Sequence, residues 1–162
     1  MIFIYPFLLK KGGIKMRTRV AGFVEMDGGY AFMHRLNVKP TPNTTKPYGE
    51  YYVFPGGGLE EDDPSQEEGV KREIMEEFGI EVDVVRKLYE RELDGGEFKE
   101  ILFLCKYKSG EFGTGTGPEF SGDPKYADRG EYIPTIVPIE EVKNIRLLPE
   151  EFKEKIISDF CK

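Results

Sequence analysis

The stretch GVKREIMEEFG, residues 69–79, constrains the fold of this chain more than any other segment. Its apolar residues Val70, Ile74 and Phe78 are spaced four apart, which places them on one face of an α-helix. No other face of this helix is strongly apolar. The stretch therefore predicts an amphipathic helix that packs against a core through this single stripe.

Three glutamates, Glu73, Glu76 and Glu77, share a different face of the same predicted helix. A helix turns about 100° per residue, so the three positions fall within about one quarter of its circumference. Like charges at this spacing destabilise an exposed helix by about 0.2–0.5 kcal/mol per pair, and by more where water is excluded. Two interpretations remain open: a solvated acidic face, or a site at which a cation offsets the repulsion.

Composition and charge narrow the class of protein. The chain has 162 residues, of which 39% are hydrophobic and 13% aromatic, as expected of one globular domain. A net charge of −7 argues against a nucleic-acid duplex as partner, so an anionic substrate would require a metal ion. Cys105 and Cys161 match neither a disulfide framework nor metal-ligand spacing. We expect a cytoplasmic protein without a membrane partner.

The first fifteen residues, MIFIYPFLLKKGGIK, lack the basic leading region and the cleavage site of a signal peptide. They are also too short to span a bilayer. KGGIK, residues 11–15, is what a purine-rich bacterial ribosome-binding site encodes when it is translated upstream of a start codon. We therefore expect Met16 to be the natural start, residues 1–15 to be a non-native leader and residues 16–162 to be the functional domain. The alternative is that IFIYPFLL forms an edge strand.

Turn and capping signals predict strands mixed with two or three helices. TRVAGFVEM and GYAFMHRL are joined by DG at residues 27–28, a strong hairpin signal, and two later strands meet at DGG, residues 94–96. Ser65 and Glu68 form a capping box at the start of the glutamate-bearing helix, and Gly79 is placed to end it. The pattern predicts an α/β fold with a mixed sheet between helices.

Residues 58–80, GLEEDDPSQEEGVKREIMEEFGI, resemble the signature box of the Nudix hydrolases, the family that includes MutT-like proteins. That box contains a glycine, five residues, a glutamate and seven residues. These are followed by arginine, glutamate, an aliphatic residue, any residue, two glutamates, any residue, glycine and an aliphatic residue. The second half matches at every position from Arg72 to Ile80.

The first half of the box departs from the family pattern. Counted from Gly58, the first glutamate position is occupied by Pro64. In one interpretation Gly57 is the box glycine, the loop holds one extra residue, and Asp63 replaces the glutamate. In the other interpretation, the role of that glutamate is lost.

The resemblance implies a Nudix-type α/β/α sandwich and a set of metal ligands. Family members hold Mg²⁺, with Mn²⁺ as a substitute, through carboxylates of this helix and a backbone carbonyl of the preceding glycine loop. The corresponding ligands here are Glu73, Glu76, Glu77 and the carbonyl of Gly57. Arg72 corresponds to the arginine that orients the glutamates.

Four further residues are candidates for catalysis or substrate binding. Family members often take the general base from a late loop, and Glu119 in GTGPEF is the best candidate, in a glycine-rich sequence that predicts mobility. Arg35 is a candidate for binding phosphate oxygens, with a plain surface position as the alternative. Tyr52 and Phe54 are candidates for stacking on a nucleotide base, unless strand alternation places them in the core.

The resemblance predicts a Mg²⁺-dependent pyrophosphohydrolase of bacterial type. Its substrate would be a nucleoside diphosphate derivative or a nucleoside triphosphate. One alternative is a catalytically weak Nudix-fold module that binds nucleotides or regulates. Another is a prenyl diphosphate isomerase, although no cysteine lies beside a glycine-rich strand end. No subgroup signature fits, so the sequence leaves the identity of the substrate open. It also leaves open whether the chain forms a homodimer.

Overall fold

The computed structural model describes residues 16–161, so the expected leader lies outside the described residues. No helix of this part of the chain is long and apolar enough to cross a membrane. The strands and helices of the described range are, in chain order, β1 (Arg17–Met26), β2 (Gly29–Val38), β3 (Gly49–Val53), β4 (Gly56–Gly58), α1 (Gln66–Phe78), β5 (Ile80–Leu93), β6 (Phe98–Gly110), β7 (Glu131–Val137), β8 (Leu147–Leu148) and α2 (Glu150–Phe160).

The strands form one curled mixed sheet built around β1. Strand β1 runs parallel to β6 on one side, and on the other side it pairs antiparallel with β2 and with β4. Strand β2 also pairs with β3 and β7, and β5 pairs with β6 at one edge. The hairpins predicted at residues 27–28 and 94–96 are both confirmed.

The two faces of the sheet are covered by different helices. Because side chains alternate along a strand, β1 contributes Val20 and Val24 to one face and Ala21 and Phe23 to the other. The stripe of α1 packs on the first face and α2 packs on the second through Phe152. The α/β/α sandwich expected from the sequence is therefore confirmed.

Local capping signals fix the ends of α1. The Ser65 hydroxyl accepts a hydrogen bond from the Glu68 N–H at 3.1 Å, as the capping box predicts. At the other end, Gly79 adopts a left-handed φ of 73° and its N–H donates to the Met75 carbonyl. The left-handed backbone conformation costs little free energy at this position, because glycine has no Cβ.

The structure differs from the sequence-based elements in one place and specifies the type of another. Residues 56–58 form strand β4, because their backbone extends along β1 even though three glycines have low strand propensity. The EEVKN sequence at residues 140–144 also predicts a short helix, and in the structure this helix is of the 3₁₀ type, Ile139–Asn144.

A buried ion network joins three strands on the α2 face. Glu100 is only 3% exposed, and its Oε2 accepts from Arg91 Nε at 2.8 Å and pairs with Arg91 Nη2 at 2.6 Å. Its Oε1 lies 3.4 Å from Arg19 Nε. The carboxylate thus neutralises cationic side chains from both neighbouring strands.

We expect Glu100→Gln to lower the free energy of unfolding by about 3 kcal/mol, because it removes the closest anion from two largely buried guanidinium groups and leaves Arg91 only its longer pair with Glu151 at 3.6 Å. Urea unfolding at neutral pH measures the effect. Glu90→Gln is the matched control, since Glu90 is an exposed β5 residue that also pairs with two cations, Lys87 and Lys99. It should change stability little. Equal effects of the two substitutions would contradict the assignment.

Candidate active site

The carboxylates of α1 lie directly against the glycine strand β4. The Gly56 N–H donates to Glu77 Oε2 at 3.2 Å. A side chain at Gly57 would displace the Glu73 carboxylate, since a Cβ there would lie 2.5 Å from Glu73 Cδ. Strand β4 therefore positions both carboxylates through its bare backbone.

Asp63 forms a two-pronged pair with Arg72. Arg72 Nε donates to Asp63 Oδ1 at 2.8 Å, and Arg72 Nη2 donates to Oδ2 at 2.9 Å. Gly69 permits this approach, because a Cβ there would lie 3.2 Å from Asp63 Oδ2 and 2.6 Å from Leu59 Cδ1. Pro64 is exposed. The geometry favours the interpretation in which Asp63 takes the place of the first box glutamate.

Arg72 also organises two of the helix glutamates. Its Nη1 donates to Glu73 Oε1 at 2.9 Å and to Glu76 Oε1 at 3.3 Å. Since Asp63 holds the other edge of the guanidinium, the arginine is fixed in orientation. This arrangement is the one expected of a residue that orients the carboxylates.

Burial makes the negative charge of this face unfavourable. It raises the pKa of Glu73 despite Arg72, and it raises the pKa of Glu77 well above its usual value. Glu73 and Glu119 raise the pKa of Glu77 further, whereas Arg19 and the Gly56 N–H lower it. The face is short of positive charge, which a divalent cation would supply.

The donors at this face suit Mg²⁺. In residues 16–161, no three acidic, histidine or cysteine side chains converge into a complete metal cage. Mg²⁺ usually combines one or two carboxylates with water and substrate phosphates, so it does not need such a cage. The desolvated carboxylates Glu73 and Glu77, together with the backbone of Gly57, fit that requirement.

Glu119 lies on a short 3₁₀ turn, Pro118–Phe120, and its charge contributes to the raised pKa of Glu77. The preceding loop is bound to the end of α1: the Gly113 N–H donates to the Phe78 carbonyl at 3.0 Å. Gly115 packs against this end of the helix, since a Cβ there would lie 2.5 Å from the Glu77 carbonyl carbon. The mobility that the glycine-rich sequence suggested stays a prediction.

Arg35 is engaged in the sheet and its flanking loop. Its guanidinium carbon lies 3.6 Å from the centre of the Tyr132 ring, and Nη2 donates to the Arg129 carbonyl at 2.6 Å. Nε donates to the Glu131 carbonyl at 3.3 Å. These contacts hold Arg35 against β7 and its flanking loop, and its contact with phosphate oxygens stays a prediction.

Tyr52 and Phe54 lie on the α2 side of the sheet, away from the carboxylates. Phe54 is 2% exposed in the α2-facing core, and Tyr52 stacks on His34 at 4.1 Å between ring centres. Alternation along the chain turns both side chains to this face. The structure therefore does not bring them to the site with Glu73 and Glu77.

Sequence reasoning missed an aromatic pair on the loop beside Glu119. Phe120 is exposed and packs against Tyr132 at 6.4 Å between ring centres, with the rings nearly perpendicular. Tyr132 in turn contacts the α1-facing core cluster. Only the three-dimensional arrangement shows this pair, because the two residues lie on separate elements.

Known proteins resemble this chain in sequence pattern and in fold. The sequence matches the NUDIX domain over residues 16–157. Among curated proteins none matches it significantly. A NUDIX hydrolase from Nitrosomonas europaea is similar in structure, with a TM-score of 0.63, 15% identity and coverage of 90% of this chain and 72% of that chain.

Two further solved structures share the fold. A MutT structure described for Aliivibrio salmonicida and Vibrio cholerae has a TM-score of 0.60 and 19% identity, and covers 89% of this chain and 98% of that one. An ADP-ribose pyrophosphatase from Streptococcus suis has a TM-score of 0.56 and 14% identity, with coverage of 88% and 90%. The chain belongs to the NUDIX family, and it is a Nudix hydrolase.

We expect Asp63→Asn to lower the free energy of unfolding by about 1.5–3 kcal/mol at pH 7, since it removes a charge-assisted pair. Arg72 holds the pKa of Asp63 below its usual value. The stabilisation is therefore present above the unfolded-state pKa of about 3.9 and is lost as pH falls through the lower folded-state pKa.

Urea unfolding in EDTA at pH 7 and pH 3 measures this difference between wild type and variant. Asp62→Asn is the control, because Asp62 is exposed in the same loop. A difference that stays the same at both pH values would show that the ionised pair is not its source.

Proposed function

We propose that this Nudix hydrolase is a Mg²⁺-dependent pyrophosphohydrolase that cleaves a diphosphate linkage. Its substrate would be a nucleoside diphosphate derivative or a nucleoside triphosphate. The observation that carries the proposal is the burial of Glu73 and Glu77 against the bare backbone of β4, which raises the pKa of both carboxyls. A site with this charge deficit favours a cation and, through it, a phosphorylated substrate.

Each residue has a distinct part in this proposal. Glu73, Glu77 and the Gly57 carbonyl would hold the ion, and Glu76, which pairs with Arg72 at 3.3 Å, would be a further carboxylate ligand. Arg72 keeps the carboxylates oriented. When bound, the ion supplies Lewis acidity towards the phosphoryl oxygens. Glu119 accepts the proton of the attacking water, as a general base near the reacting atoms does. Mn²⁺ is the expected substitute ion.

The name of one structural neighbour supports the class of substrate. That protein is an ADP-ribose pyrophosphatase, with 14% identity to this chain and a similar fold. ADP-ribose contains a nucleoside diphosphate, so a substrate of this kind is consistent with the proposal. The hydrolysis assay described below distinguishes nucleotide sugars, dinucleotides and nucleoside triphosphates as substrates.

The alternatives have less support from the structure. The binding-module alternative follows from Pro64 at the first glutamate position of the box, but the neighbouring Asp63 supplies a carboxylate that pairs with Arg72 through both oxygens. For the isomerase, Cys105 is fully buried and burial raises the pKa of its thiol to about 12. A neutral thiol in the core is unsuited to that chemistry.

We expect hydrolysis to require a divalent cation and to fall by at least about 10²-fold in kcat in Glu76→Gln or Glu77→Gln, because each loses a charged ligand that stabilises the transition state. Phosphate or pyrophosphate release is measured over nucleoside triphosphates, nucleotide sugars, ADP-ribose and dinucleoside polyphosphates, with Mg²⁺, with Mn²⁺ and with EDTA.

Glu67→Gln is the control, because Glu67 is an exposed glutamate in the first turn of the same helix. Thermal melting without metal checks the fold, and Glu77→Gln should melt no lower than wild type since it removes a buried charge. Unchanged turnover in both active-site variants would reject the metal site. Binding without hydrolysis would instead favour the regulatory module.

A further inference from the structure

The loop after β6 is attached to the end of α1 by direct backbone contacts. The Gly117 N–H donates to the Glu76 carbonyl at 2.8 Å, and the Gly113 N–H donates to the Phe78 carbonyl at 3.0 Å. The last carbonyls of a helix have no partner within the helix, so they need donors from elsewhere. Residues 113–117 supply these donors to the turn that carries the active-site carboxylates.

Gly115 lies at the closest point of this contact. A Cβ on Gly115 would lie 2.6 Å from the Glu76 carbonyl oxygen and 2.5 Å from the Glu77 carbonyl carbon. Its φ is not left-handed, so the position requires glycine for space and not for backbone conformation. Any side chain at this position would force the loop away from the helix.

Gly117 makes room for the Glu119 carboxylate. A Cβ on Gly117 would lie 2.7 Å from Glu119 Oε1. Gly117 has a φ of −60°, which alanine adopts without strain. An alanine here would therefore displace the flexible end of Glu119, whereas an alanine at Gly115 would displace the backbone.

We propose that Gly115 and Gly117 are positioning residues, which hold the Glu119 carboxylate at the C-terminal turn of α1 by docking residues 113–117 on that helix. The inference rests on the proposed function, in which Glu119 is the general base. The same turn of helix then carries the metal ligands and the attachment point of the base. Backbone hydrogen bonds, rather than side-chain contacts, set the distance between them.

A double-mutant cycle tests Gly117, with the nucleotide of the panel that wild type hydrolyses fastest. Glu119→Gln should lower kcat by about 10²-fold with little change in KM, and Gly117→Ala should lower kcat by about tenfold or more. In the Glu119→Gln background, Gly117→Ala should change kcat by less than about twofold, because the carboxylate that it displaces is already gone.

Gly115→Ala tests the docking contact itself. It should lower kcat in the same way and speed amide hydrogen exchange at Gly117, whose N–H bonds to α1. Thr116→Ala is the control, since Thr116 is exposed between the two glycines. Thermal melting checks each fold, and Gly117→Ala carries the test if Gly115→Ala does not fold.

Three results would overturn the inference: full kcat in both glycine variants, equal effects of Gly117→Ala with and without the Glu119 carboxylate, or rapid exchange at Gly117 in wild type. A fourth result, full kcat in Glu119→Gln, would also overturn the inference. The proposed function would still stand in that case if hydrolysis requires a metal ion and is lost in Glu76→Gln. Loss of activity in Glu119→Gln alone would show that the base is correct and the positioning role is wrong.

Discussion

The contact between strand β4 and helix α1 is the constraint on which the site depends. On one edge, β4 is hydrogen-bonded to β1 in the centre of the sheet, and on the other it meets the carboxylates of Glu73 and Glu77. Because β4 is made of glycines, carboxylates approach the main chain directly. The rigid sheet therefore determines where these charges lie, and the Arg72 side chain orients them.

This contact places function in conflict with stability. Desolvating two carboxylates on adjacent turns disfavours their charged forms, as the raised pKa values of Glu73 and Glu77 show. Arg72 offsets part of the repulsion but is itself shared with Asp63. Such strain is typical of catalytic sites, where groups are arranged for a reaction rather than for the folded state alone. The separate core on the α2 face contributes to the stability that tolerates it.

The sequence predicted those features that local signals control. Helix α1, its Ser65 cap, its Gly79 end and both hairpins follow from periodicity and turn chemistry within a few residues. The α/β class followed from the mixture of elements, and the carboxylate face from helical spacing. These predictions succeed because each depends on neighbours along the chain.

The remaining features depend on contacts between distant segments. Alternation places Tyr52 and its chain neighbours on opposite faces of the sheet. It cannot show which of these faces carries the carboxylates. Strand β4 has glycines in place of strand-forming side chains, so only its pairing with β1 reveals it. The docking of residues 113–117 on α1 likewise involves backbone groups that every residue has. The sequence therefore does not show which segment these groups contact.

The pairing of Asp63 with Arg72 has a consequence for how the segment before α1 can change. Aspartate is one methylene shorter than glutamate, and here eight residues lie between Asp63 and its partner Arg72. In the interpretation in which Asp63 takes the place of the box glutamate, the extra residue and the shorter side chain compensate each other, and the position of the two carboxylate oxygens matters more than the count of residues. We therefore expect the length of the loop before α1 and the length of the acidic side chain to change together. A sequence pattern with fixed spacing describes only one combination of the two lengths that gives this geometry.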